Sequence, residues 1–135
     1  MKISNQTSSH ELSQRLCELG VKKKSIFWYK PGGKYPTLLL EGERSTTGYY
    51  RAYTVAELGR ILPERIIIDG RAKVLRTFKT LSTWYVKYED YETDDTEFWE
   101  KGKEANARAR MVIYLVENNL LTFKPVWKQL KNSKN

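Results

Sequence analysis

One cysteine, one histidine and no apolar run longer than six residues set the first limits on this 135-residue chain. Cys17 alone cannot form an intrachain disulfide. Structural zinc takes about four His or Cys ligands, and His10 with Cys17 supplies two, separated by a helix face. A histidine-dependent nucleophile needs its base in hydrogen-bond reach, yet His10 falls in the first turn of a helix and reads as exposed. The longest apolar stretch, Met111 to Val116, is far short of the ~20 residues that span a bilayer. Met1 to Gln6 lacks the apolar core of a signal peptide. The expectation is a cytoplasmic protein without membrane contact.

Phosphate and cation motifs are missing as well. Gly32-Gly33-Lys34 has neither the spacing nor the following Ser/Thr-led helix of a phosphate loop, and turn chemistry accounts for it. Asp94-Asp95-Thr96-Glu97 offers oxygens but not the central glycine and ligand rhythm of a calcium loop. It reads as a solvated acidic loop. With no nucleophile–base pair and no metal set, the chain is expected not to be an enzyme and to carry no cofactor. The enzyme alternative is a carboxylate-based, metal-dependent hydrolase built on residues 89–100.

Local signals are clearer. Ser8-Ser9-His10-Glu11 has capping-box spacing, and Leu12, Leu16 and Leu19 follow as one stripe before Gly20, so a helix is expected at about 9–19. Cys17 adjoins that stripe and reads as a small buried filler. Ser25 to Lys30 and Tyr35 to Glu41 read as a hairpin around Pro31 to Lys34. Gly42 to Gly48 is a polar loop. Thr54 and Glu57 form a second capping box for a short helix that Pro63 ends. Asp69-Gly70 between Arg65–Ile68 and Arg71–Thr80 is the signature of a type I′ hairpin, and Thr83 to Glu89 adds a third strand. A last helix is expected from about Lys103 to Asn118, with Ala105, Ala109, Val112, Ile113 and Val116 inside and Arg108 and Arg110 toward water.

The order predicts an α+β fold: an antiparallel sheet, a hairpin plus a three-strand meander, covered on one face by about three helices in two layers. One domain is expected over 1–122, with a basic tail at 123–135. Its core would gather Leu12, Leu16, Leu58, Leu62, Trp84, Val86, Val112, Ile113 and Val116.

Charge is unevenly placed. Seven of the 16 acids lie between Glu89 and Glu100, where there is no base. Elsewhere 24 bases face nine acids, an excess of fifteen that would attract polyanions. If Trp84, Val86 and Tyr88 face the helices, Tyr85 and Lys87 face water. Placing Ala72, Val74 and Phe78 inside would add Arg71, Lys73 and Lys79 to that surface, although Arg76 then falls inside too. Arg71, Lys73, Lys79, Tyr85 and Lys87 are thus the candidate polyanion-binding surface, suited to hold phosphates and stack a base. Nine tyrosines and four tryptophans, some in loops such as Tyr49-Tyr50, also suit a protein interface.

Four segments carry a resemblance. They are Glu11-Leu12-Ser13-Gln14-Arg15-Leu16-Cys17-Glu18-Leu19-Gly20-Val21, Tyr53-Thr54-Val55-Ala56-Glu57-Leu58-Gly59-Arg60-Ile61-Leu62-Pro63, Trp84-Tyr85-Val86-Lys87-Tyr88-Glu89, and Ala107-Arg108-Ala109-Arg110-Met111-Val112-Ile113-Tyr114-Leu115-Val116-Glu117-Asn118. In this order they resemble a group of small uncharacterised proteins of bacterial prophages and related mobile elements. The resemblance implies the same fold and a phage-linked accessory role, and assigns no catalytic residue. The leading expectation is binding of a protein partner, as monomer or homodimer, with nucleic acid as the alternative partner.

Overall fold

A computed structural model of the chain describes residues 6–30, 37–40, 49–90, 92 and 96–123. The turn at 31–34, the loop at 42–48, Asp94, Asp95 and the tail from 124 onward lie outside the described residues.

Helix α1 spans His10–Glu18. Ser9, rather than Ser8, is its N-cap, with Oγ accepting from Leu12 N–H at 3.3 Å. Ser8 is buried and committed elsewhere: its Oγ lies 2.7 Å from Ser13 Oγ and accepts from Tyr53 N–H. Gly20 takes φ +85 after the last turn, as a C′ glycine should. Leu16 is fully buried, whereas Cys17 points to solvent and fills nothing.

Strands β1 (Phe27–Lys30) and β2 (Thr37–Leu40) pair antiparallel as expected. A further strand, β3 (Tyr50–Ala52), lies on the other side of β1. Tyr50 is therefore not a loop residue: it is buried and stands 5.6 Å from Tyr29 in a second small core with Ala52. Thr54 caps α2 (Val55–Ile61) in a complete capping box with Glu57. The same carboxylate accepts from Ile26 N–H and Ser25 Oγ, so the cap also ties α2 to the entry of β1.

The second sheet runs in the order β4 (Arg65–Ile68), β5 (Arg71–Thr80), β6 (Thr83–Asp90), β7 (Thr96–Gly102). Asp69 (φ 52) and Gly70 (φ 77) make the β4–β5 turn, both left-handed as a type I′ turn requires. The expected acidic loop is instead largely strand: β7 occupies 96–102, with Glu97 as the extra residue of a bulge opposite Tyr88 and Glu89. The hairpin and the meander thus belong to two sheets rather than one.

Helix α3 (Glu104–Glu117) packs against β6, β7, α1 and α2. Leu16, Leu58, Leu62, Val86 and Val112 share one core with Tyr53, Tyr88, Met111 and Leu115, while Leu12, Ile113 and Val116 close its margin. Trp84 is only half-buried and outside that core. Arg108 does not extend to water; its guanidinium passes over Gly59 of α2, where an added Cβ would sit 2.8 Å from Nη1. Among the described residues no helix is long and apolar enough to cross a membrane.

Candidate binding surface

In an antiparallel ladder, directly paired residues project to the same face. The β5–β6 register pairs Lys73 with Asp90, Leu75 with Tyr88, Thr77 with Val86 and Lys79 with Trp84. Val86 and Tyr88 are fully buried, so this is the helix side. Val74 with Glu89, Arg76 with Lys87, and Phe78 with Tyr85 occupy the opposite, open face. Sequence reasoning had β6 correctly oriented and β5 off by one residue, which exchanges every side chain between faces.

The five proposed polyanion-binding residues are therefore split. Tyr85 and Lys87 lie on the open face. Arg71, Lys73 and Lys79 belong to the helix side. Lys73 is buried, its side chain 3% exposed, and its Nζ stands 3.4 Å from Asp90 Oδ2. Arg71 Nε donates to the same oxygen at 2.6 Å. Lys79 stays exposed at the sheet end, with Nζ 6.0 Å from the centre of the Trp84 ring. The acids of residues 89–100 consume bases rather than standing apart from them: Asp90 takes Arg71 and Lys73, and Glu89 takes Lys87 at 2.9 Å and Arg76 at 3.3 Å. Burial also raises the Glu100 carboxyl pKa, against the opposing pull of Arg110.

What the open face does bring together was only partly foreseen. Phe78, 39% exposed, stacks on Tyr85 with centroids 5.1 Å apart and planes 13° from parallel. Lys87 Nζ lies 5.4 Å from the centre of the Phe78 ring. Ile67 on β4 is 65% exposed and shares this face through its register with Ala72. Arg65 and Lys101, paired with Val74 and Tyr85, extend the basic margin. At the tip of the β5–β6 hairpin Leu81 is 99% exposed and holds φ +54, a conformation costly for a leucine. The missing clue was the two-residue turn Leu81-Ser82. Pairing Thr80 with Thr83 sets the whole register, yet the pair lacks the Asn-Gly or Asp-Gly that marks such turns.

Among the described residues the open face presents an aromatic pair, the Ile67 side chain, four cations and the Glu89 carboxylate. Among the described residues no group of three His, Cys, Asp or Glu could hold a metal ion. Comparisons with protein-family models, curated proteins and solved structures return no match.

Proposed function

We propose that this protein acts without catalysis, by binding a partner protein on the open face of its four-stranded sheet. The carrying observation is the stacked Phe78/Tyr85 pair, exposed beside Ile67 and rimmed by Arg65, Arg76, Lys87 and Lys101. Aromatic residues and arginine with an apolar centre are what protein interfaces concentrate. Among the described residues of this face, Arg65, Arg76, Lys87 and Lys101 outnumber Glu89, so the complementary partner surface is apolar at its centre and acidic at its rim. Leu81 supports the same reading, since full exposure and a strained backbone return nothing to the fold itself. An accessory role in a phage or mobile element is the setting that the sequence resemblance implies.

A protein partner fits better than a nucleic acid because one face of the Phe78 ring is already occupied by Tyr85, with Lys87 close by. Single-strand binding wants those ring faces free for bases. Site-specific photocrosslinking tests this, with the crosslinker replacing Phe78 and, as control, exposed Gln14 on α1. A discrete protein adduct from position 78 that disappears on Lys87→Glu supports the proposal. A nucleic-acid adduct would transfer the face to the polyanion reading. Identical adducts from both positions, or none, would end it.

A further inference from the structure

We infer that β4 is a self-complementary edge through which two copies of this chain pair antiparallel, joining their four-stranded sheets into one of eight. The inference shares Ile67 and Arg65 with the proposed partner face but rests on a different observation, the outward-facing backbone groups of β4. Leu75 N–H donates to Glu64 C=O, which makes Glu64/Leu75, Ile66/Lys73 and Ile68/Arg71 the hydrogen-bonded pairs of the β4–β5 ladder. Arg65 and Ile67 therefore turn their N–H and C=O groups away from β5, toward the free edge. Nothing in the described residues pairs with them there.

Natural edges are protected by charge, proline or a bulge. This edge is charged at its ends but places an isoleucine, 65% exposed, at its centre. Its flanking charges are mirrored: Arg65 stands two residues before Ile67 and Asp69 two residues after. Both are exposed, and among the described residues neither has an ion-pair partner. A two-fold axis at Ile67 would set Ile67 against its copy as a hydrogen-bonded pair, using the outward groups. It would also bring Arg65 of each copy to the β4–β5 turn that holds Asp69 of the other. The axis is perpendicular to the sheet, so the helices of both copies stay on one side and both open faces on the other.

The edge is short, so the dimer is expected to be weak. Sedimentation equilibrium over roughly 0.02–1 mM chain covers the range that small interfaces demand. The expected result is a reversible dimer that weakens as salt rises. Arg65→Glu, which opposes two carboxylates, should weaken it about tenfold or more. Ile67→Lys should abolish it, as lysines guard natural edges. Far-UV circular dichroism and an unchanged melting profile establish that each variant remains folded. A wild-type chain monomeric across the whole range would overturn the inference. So would a dimer indifferent to both substitutions.

Discussion

Asp90→Ala tests the buried ion cluster of the sheet most directly. Asp90 ends β6 with its side chain 4% exposed, and it holds at least three groups at once. Oδ2 accepts from Arg71 Nε at 2.6 Å and Lys73 Nζ at 3.4 Å, and Oδ1 accepts from Glu92 N–H at 2.9 Å. Arg71 is half-exposed and water can resolvate it. Lys73 cannot reach water without disturbing the sheet. Removing one partner of a buried ion pair costs up to about 3–5 kcal/mol, because a buried charge loses its counter-charge. That is a large share of the 5–15 kcal/mol typical of a whole domain. For a chain of this length it lowers Tm by roughly 10–15 °C. Lys73→Met behaves differently: it keeps the apolar stem and leaves Asp90 with Arg71 and the Glu92 amide, so about 1 kcal/mol is lost. The double variant also removes the buried ammonium that faced Asp90 and should recover about 1–2 kcal/mol relative to Asp90→Ala alone. Urea unfolding followed by circular dichroism gives all three values. An Asp90→Ala cost below about 1 kcal/mol, or strictly additive single effects, would refute the reasoning.

Three further outcomes follow from the same structure. Burial pushes the Tyr53 phenol up to about 12, while its hydroxyl donates to Val21 and Lys23 carbonyls. A folded pKa above the unfolded value near 10 means that this stability is complete below pH 10 and lost between 10 and about 12. Urea midpoints over that range should fall by the equivalent of about 2–3 kcal/mol more in the parent than in Tyr53→Phe. At the hairpin tip, Leu81→Asn should stabilise by about 0.5–1 kcal/mol, since asparagine tolerates φ +54 and the leucine buries nothing; a lower melting temperature would contradict this. In α1, Leu16→Ala should cost about 2–5 kcal/mol and the neighbouring Cys17→Ser less than about 0.5 kcal/mol, and equal effects would misplace the buried face of the helix.

Short-range chemistry was legible in the sequence, because it depends on neighbours a few residues apart. The Thr54/Glu57 box, the Gly20 stop, the Asp69-Gly70 turn and the stripe through Leu16 all follow from groups that meet within one turn of chain. The α+β class followed from their order. Tertiary structure decided what local patterns leave degenerate. Ser8 and Ser9 are equivalent as caps until Tyr53 and Ser13 claim Ser8. β3 has three residues, too few for a periodic signal, and exists because β1 offers it an edge. Acid spacing cannot show that Asp90 and Glu89 will meet bases on β5, so residues 89–100 read as loop although half of them are ladder. The candidate face turned on one residue of register. A period of two reports that β5 has two faces but not which is which, and its sequence carries apolar and basic residues on both. Only pairing Thr80 with Thr83 across Leu81-Ser82 sent Lys73 to Asp90 and left Phe78 on Tyr85 in the open.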